Sequence, residues 1–314
     1  MKKLKTIDLF AGMGGVRLAF EKAGFHTVFA NDFEEKCKAS YDANSDDVKL
    51  TVDDICNIKP ADLPNFDLLL GGFPCQPFSV AGERKGLKDE RGTLFLEIAD
   101  ILKKRKPVGF FLENVKNLTG HDFGNTFKRI LSELDGCGYE MKYAVLNSMH
   151  YGNVPQNRER VYIVGFKKGT GLIDHFTFPA PMKLTKTIQD VLDNEVAPHY
   201  YYAGKPLFER LKGITFKKGV IYQWRHSYIR QNKSGVCPTL TANMGTGGHN
   251  VPLIRDDKGI RKLTPRECAR VQGFPDSYIL PNLADSFLYK QIGNSVSVPV
   301  VYRIAKQMML TLQA

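Results

Sequence analysis

The chain has six cysteines, Cys37, Cys56, Cys75, Cys137, Cys237 and Cys268, but no C-x-x-C pair among its 314 residues. That spacing argues against a zinc site or a dithiol redox pair, and no metal is expected. A chain this long can build a core without disulfides, so reduced thiols are expected. No secretory n-region and h-region opens the sequence, and no apolar run reaches the roughly 18 residues of a membrane span. Internal repeats and low-complexity tracts are also missing. These absences point to a cytoplasmic protein with no membrane partner, folded as one large domain or two modest ones.

Acid is also in short supply. Lysine and arginine number 44 against 33 aspartates and glutamates, a net charge of +11. Such an excess favours a polyanionic partner. Part of it is local: Lys205, Arg210, Lys212, Lys217, Lys218, Arg225, Arg230 and Lys233 lie between Tyr201 and Gly235, opposed by Glu209 and interleaved with Tyr222, Trp224 and Tyr228. The plain alternative is a solvated charged face.

Strand-like and helix-like stretches alternate through the first half. Apolar runs at Thr6–Phe10, His26–Ala30, Leu50–Val52, Phe66–Leu70 and Pro107–Leu112 alternate with helical spacing over Val16–Ala23, Phe33–Tyr41, Thr93–Leu102 and Phe123–Leu134. Tyr139–Leu146 and Arg160–Phe166 resemble a closing pair of strands. This order predicts an α/β layered sheet. From about residue 190 the composition turns to Gly, Tyr, Lys and turn signals with short β-like pieces. The expected division is a first domain over 1–189, a small separate domain over 190–264, and a last segment over 265–314 whose C-terminal helix docks back on the first domain. Thr264-Pro265-Arg266-Glu267 carries an N-cap threonine, proline at the first helical position and an acid in the first turn. Pro299–Leu312 is an amphipathic last helix.

Four segments carry chemistry. Phe10-Ala11-Gly12-Met13-Gly14-Gly15 follows a strand and opens a helix, where glycines permit positive φ and let a ligand approach the backbone. Asp32 comes 20 residues after Gly12, at the end of the next strand, where a carboxylate can bond ribose hydroxyls, and Asp54-Ile55 follows the third strand. This fits any adenosine-containing cofactor, or a purely structural turn. Gly71-Gly72-Phe73-Pro74-Cys75-Gln76-Pro77-Phe78-Ser79 sets one cysteine between two prolines directly after an apolar strand. A parallel sheet presents a reactive atom in that way, although cysteine is more often a small buried hydrophobe. Glu113 ends the very apolar strand Phe110-Phe111-Leu112, where an acid must be paired or protonated; protonated, it is a candidate general acid. Gln156-Asn157-Arg158-Glu159-Arg160 places two arginines two apart, able to meet a base carbonyl and orient the acid, or else to form a surface cluster with Glu159.

With these segments in this order, and with Arg266-Glu267-Cys268-Ala269-Arg270 through Gly273-Phe274-Pro275 and then Gly293-Asn294-Ser295-Val296, the chain resembles the C5-cytosine DNA methyltransferases of bacterial restriction–modification systems over nearly its whole length. The resemblance implies a Rossmann-like, S-adenosylmethionine-dependent methyltransferase fold: a mixed sheet with helices on both faces, plus a smaller, mostly β and irregular target-recognition domain. It implies S-adenosylmethionine as methyl donor, S-adenosylhomocysteine as product, and double-stranded DNA as substrate. Cys75 is the implied nucleophile, Glu113 holds the cytosine N3/N4 edge, and Arg158 and Arg160 are its O2-side partners. Phe10, Gly12, Gly14, Asp32, Phe33, Asp54, Ile55, Pro74, Leu94, Asn294, Ser295 and Val296 are the implied donor pocket, with Asp32 standing where the family more often has Glu. DNA contacts are expected from Gln76, Ser79 and Arg84 in the segment past Cys75, and from Arg225, Arg230, Thr239 and Asn243; Pro238-Thr239-Leu240 matches the end of the family's recognition region. The glycine-bearing segment 79–86 is expected to close over DNA, and Asn243 to Asn250 to approach the groove. The expected protein acts as a monomer, with a possible separate cognate endonuclease.

Rival readings remain at this level. An RNA cytosine-5 methyltransferase of the same fold would carry a Cys-Phe-Thr signature in its recognition region, which is missing. A nicotinamide oxidoreductase would use the glycine loop but leaves Cys75, Glu113 and the arginines idle. A non-catalytic DNA-binding module would not need them either.

Overall fold

The computed structural model describes residues 3–74, 93–205, 208–209, 211, 213–225, 228–232, 235–246 and 251–314. In chain order the elements are β1 (Lys5–Leu9), α1 (Gly15–Lys22), β2 (His26–Asp32), α2 (Glu35–Asp42), β3 (Thr51–Val52), β4 (Leu68–Gly71), α3 (Thr93–Arg105), β5 (Gly109–Val115), α4 (Asn125–Gly136), β6 (Tyr139–Asn147), α5 (Ser148–Tyr151), β7 (Gln156–Asn157), β8 (Glu159–Lys167), α6 (Leu172–His175), β9 (Tyr222–Arg225), β10 (Tyr228–Gln231), β11 (Cys237–Pro238), β12 (Leu253–Arg255), β13 (Ile260–Lys262), α7 (Pro265–Val271), α8 (Asp285–Asn294) and α9 (Val298–Gln313). By internal contacts these fall into unit one, Met1–Leu146, Glu159–Ala180 and Val301–Ala314, and unit two, Asn147–Arg158 and Pro181–Val300.

Unit one is a seven-stranded sheet in the order β3-β2-β1-β4-β5-β8-β6. β3 to β5 run parallel and β8 pairs antiparallel with β5, so the sheet is mixed. The runs Leu68-Leu69-Leu70 and Phe110-Phe111-Leu112 are apolar without alternation because both faces are covered. On one face Leu69, Phe110 and Leu112 pack with Ile98 and Leu102 of α3 and Ile130 and Leu134 of α4. On the other, Phe111 meets the ring of Phe20 in α1 edge-on at 5.2 Å. The sequence order reverses at β1, whose neighbours are β2 and β4, and ligands of open α/β sheets bind outside the carboxyl ends of strands at such a point. Two helices begin later than the sequence predicts: α2 starts at Glu35 rather than Phe33, and α4 is delayed by its backbone. Asp122, Phe123 and Gly124 have φ of 50°, 53° and 85°, so α4 starts at Asn125 rather than Phe123.

Unit two relies on short ladders. A four-stranded sheet, β10-β9-β12-β13, covers a core of Leu211, Phe216, Tyr222, Trp224 and Leu253, and a two-residue parallel pair joins β7 to β11. The Thr264 signal is borne out: its hydroxyl accepts the Glu267 N–H while the Glu267 carboxylate accepts the Thr264 N–H, which caps α7. Among the described residues no helix is long and apolar enough to cross a membrane, no group of acids, histidines and cysteines has metal-ligand geometry, and no disulfide forms.

Candidate active site

Strand register brings the unit-one motifs to one edge of the sheet. Leu9 of β1 pairs with Gly71 of β4, and Gly71 pairs with Leu112 of β5. The glycine loop after β1, the Gly72-Phe73-Pro74 segment after β4, and Glu113 therefore leave neighbouring strands at the same level. A side chain begun at Gly72 would lie 3.6 Å from Glu113 Oε2, so the carboxylate rests against the backbone three residues before Cys75. Asn114 ties that backbone down: its buried amide donates to the Phe73 carbonyl at 2.9 Å. Cys75, Gln76, Ser79 and Arg84 lie outside the described residues, as do Arg210, Lys212, His226, Lys233 and the 247–250 part of the second glycine segment.

Glu113 is buried, and of the two ways to tolerate an acid there, pairing is present. Arg160 Nε lies 3.1 Å from Glu113 Oε1. The antiparallel register explains the contact. Val115 faces Arg160 and Glu113 faces Tyr162, so Glu113 and Arg160 are diagonal neighbours on one sheet face. Glu159, the alternative partner, turns away to a half-exposed ion pair with Lys116 at 2.9 Å.

The loop after β1 is built to leave space. Phe10, Gly12 and Gly14 all have positive φ, at 55°, 54° and 81°, and the tight loop is closed by the Gly14 N–H on the Ala11 carbonyl at 2.8 Å. Asp32 Oδ2 accepts the Gly12 N–H at 2.8 Å and Oδ1 accepts the Glu34 N–H at 2.9 Å, so this acid shapes the loop. Nothing stands within 4 Å of where a Gly12 side chain would begin. Gly14 is confined instead: a β-carbon there would meet the Tyr41 ring at 3.1 Å. Phe33, just past β2, is 73% exposed and offers a bare aromatic face. Asp54 caps the turn of 55–57 by accepting the Cys56 N–H, while Ile55, Phe10 and Leu94 pack into one cluster. Pro74 is exposed. An open loop, an acid and an exposed ring at the ends of β1 and β2 fit an adenosine-bearing group.

Below the loop, Asp8 is buried in β1, and one of its oxygens accepts the Arg17 N–H at 3.2 Å. Burial pushes its carboxyl up to about 7, against the attraction of Arg17.

Unit two gathers the other predicted residues. Arg158 is buried, and its guanidinium donates to three backbone carbonyls: Leu240 at 2.7 Å, Gly293 at 3.3 Å and Ser295 at 2.5 Å. The two arginines thus do different work in different units, a distinction their spacing could not reveal. Gln156 acts beside Arg158, accepting the Leu240 N–H and donating to Val271 O and Gln272 Oε1. Asn294 ends α8, exposed, and is followed by Ser295 and buried Val296. Thr239 Oγ1 donates to the Asn157 carbonyl at 2.8 Å. Arg225 ends β9. Arg230, Thr239 and Asn243 line a polar groove of unit two together with Gln223 and Asn157, which sequence reading missed. The available signal for Gln223 was its position between Tyr222 and Trp224 in a strand with one buried face.

The model of the C-5 cytosine-specific DNA methylases matches residues 4–310. The chain belongs to that family. The fold class and the resemblance read from the sequence are borne out, and the protein is a DNA cytosine-5 methyltransferase. It is 53% identical over 312 residues to the type II methyltransferase M.Bsp6I of Bacillus sp. (strain RFL6), spanning 96% of this chain and 98% of that relative. With M.HaeII of Haemophilus aegyptius the identity is 43% over 316 residues, spanning 99% and 95%. Among solved structures, the methylase superposes on the Dnmt2 methyltransferase of S. pombe with a TM-score of 0.77 at 23% identity, covering 99% of this chain and 100% of the other. A putative DNA modification methyltransferase encoded within an E. coli prophage gives 0.76 at 21%, with coverage of 99% and 100%. At those identities the two structures speak for the fold alone.

Proposed function

We propose that this methylase modifies C5 of a cytosine flipped out of double-stranded DNA, that S-adenosylmethionine is the donor, and that Cys75 forms a transient covalent bond to C6 of the base. The observation that carries the reading is the register of β1, β4 and β5. It supports a single working edge for the glycine loop, the segment entering Cys75, and the Glu113–Arg160 pair.

Cytosine C5 is a poor nucleophile. Addition of the Cys75 thiolate at C6 would make C5 enamine-like, and a free thiol near pKa 8.5 leaves only a few per cent thiolate at neutrality, so activation in the loop is part of the proposal. Glu113 would hold N3 and N4 and supply the proton or hydrogen bond that lets the ring accept the sulfur's electrons. Arg160, already on Glu113, would keep that carboxyl in place and face the O2 side. Arg158 is assigned a positioning part: it holds the carbonyls that follow Thr239 and flank Asn294. S-adenosylmethionine supplies an electrophilic methyl on a sulfonium and leaves as S-adenosylhomocysteine; Phe10, Gly12, Gly14, Asp32, Phe33, Asp54, Ile55, Pro74 and Leu94 would hold it. A solvent base would take the C5 proton as the C6–sulfur bond breaks and Cys75 leaves as thiolate, and N3 would return its proton to Glu113, which restores aromaticity.

A base within the stack cannot offer C6 to a thiolate, and extruding it costs a few kcal/mol. Phosphate contacts from the basic stretch of unit two, whose strength falls with salt, would offset that cost. Protection of host DNA in a restriction–modification system, action as a monomer in the cytoplasm, and an endonuclease working separately complete the proposal; its support is the similarity to type II methyltransferases.

The experiment supplies labelled S-adenosylmethionine with duplex DNA, with RNA, or with neither, and then a duplex carrying 5-fluorocytosine. Label is expected on DNA alone, and the fluorinated duplex should become trapped on the wild-type protein and not on Cys75→Ser. Label on RNA alone would favour the RNA reading, and label on fluorinated DNA without a trapped adduct would sink the covalent step.

A further inference from the structure

The polar groove of unit two measures about 340 Å3. We propose that Arg230 reads a guanine of the target sequence from this groove, and that Gln223 is the positioning residue that sets the plane of its guanidinium. The inference rests on the reading of unit two as the part that recognises DNA.

The β9–β10 hairpin decides which side chains share a face. Tyr222 and Trp224 are buried in the unit-two core against Leu211, Phe216 and Leu253. Period-two alternation therefore turns Gln223 to the opposite face. Register pairs Arg230 with Gln223 and Ile229 with Trp224, so Arg230 stands on the groove side with Gln223. Arg230 Nη2 lies 3.5 Å from Gln223 Oε1. Arg230 is exposed, and it is the one cation among the described residues lining the groove.

Several of the other polar atoms of the groove are already engaged. Thr239 donates to the Asn157 carbonyl, and Asn157 Oδ1 accepts from Asn147 at 2.7 Å. Thr241 donates to Asn243, and Asn232 donates to the Val236 carbonyl. The guanidinium has five N–H donors in a planar fork. With one turned to Gln223, a parallel pair remains for two acceptors side by side. Guanine presents such a pair, O6 and N7, in the major groove. A phosphate can also take the fork two-pronged, but it carries no N7, so sensitivity to the loss of that one acceptor separates the two partners.

The test first locates the methylated site by sequencing 5-methylcytosine in DNA exposed to the protein. Duplexes then carry 7-deazaguanine, which lacks the N7 acceptor, at each guanine of that site in turn. Wild-type transfer is expected to fall about 5- to 100-fold at one guanine. Arg230→Ala should lose a similar factor on ordinary DNA and be indifferent to the deaza base there, since no donor to N7 remains. Gln223→Leu should blunt the response, and Gln223→Glu, which keeps an acceptor, should restore it; a residue that merely supports the fold would not give this split. Uniform weakening of Arg230→Ala across sequences with unchanged deaza sensitivity would make Arg230 a phosphate contact and overturn the inference. So would a wild-type enzyme that tolerates 7-deazaguanine at every position. A protein that methylates no duplex at all would overturn the reading of the enzyme instead.

Discussion

The two units use buried charge in opposite ways. In unit one a seven-stranded sheet, with a ladder of seven residue pairs between β5 and β8, satisfies the backbone, and Glu113 on Arg160 and Asp8 under the glycine loop lie toward its carboxyl edge. In unit two the ladders are two to four residues long, and charged side chains do the tying. Arg158 gathers three carbonyls. Arg261 donates two bonds of 2.8 Å to the buried Glu267, and Asp256 takes a third at 2.7 Å. Every buried backbone group needs a partner. Where a sheet supplies those partners, ionisable groups are released for chemistry; where it does not, arginines become part of the scaffold.

Exchanging the two glutamates is the sharpest way to break this contrast. Glu113→Gln is expected to lower kcat per folded molecule by about 10²- to 10⁴-fold, the usual worth of a positioned acid, with a smaller loss of melting temperature than Glu267→Ala because the amide keeps an acceptor for Arg160, and DNA is still bound. Single-turnover methyl transfer beside a gel-shift titration checks it. An equal loss of DNA binding would move Glu113 from the chemistry to the scaffold.

Glu267→Ala should do the reverse. It leaves Arg261 buried at 1% exposure without its two-pronged partner and removes the acceptor for the Thr264 and Asp193 N–H groups. Breaking a buried pair in this way costs about 3–5 kcal/mol. Urea unfolding should show the loss, and transfer per folded molecule should survive in the cold. Retained stability with lost chemistry would mean that the comparison is drawn along the wrong line.

The difference also explains what was legible in the sequence. Glu113, the glycine loop and the cysteine segment are local patterns at the ends of apolar runs, and period and punctuation are local signals. The Thr264 cap likewise sits within four residues of its partner. By contrast, Arg158 and Arg160 look alike in the chain, and only contacts 82 to 137 residues away distinguish Arg158. Asn114 stood inside a recognised motif, yet its bond to Phe73 spans 41 residues and follows from the β4–β5 register. Phe123 fits the helical period of α4, but the positive φ of Asp122 and Phe123 keeps it out of the helix, and Gly124, the left-handed cap, was the available punctuation. Gln223 was hidden because one glutamine among aromatics carries no motif.

The gentlest test concerns pH, where buried Asp8 and the arginine-bonded aspartates of unit two should differ in sign. Asp8 is held near 7 by burial, opposed by Arg17 and reinforced by Glu21 and Asp32; Tyr41, whose ring lies under the Arg17 guanidinium, completes its surroundings. Its folded value lies above the ordinary 3.8, so the native state binds the proton more tightly. Stability from this group is full below about 4 and is lost as pH rises towards about 7, by no more than about 1.4 kcal/mol per pH unit. In unit two Asp256 is partly buried, which works against its charge, but bonds from Arg261 and Tyr201 outweigh that and hold its carboxyl below the usual range. Asp276 is held low by its bond to Arg270. Their contribution is present above about 4 and disappears as pH falls below it. Asp8→Asn should therefore flatten the decline between pH 4 and 7 and leave the acid limb untouched, as read from melting temperatures across that range. If the acid limb moved instead, Asp8 would be ionised in the folded protein and the loop would rest on a charge rather than on a proton.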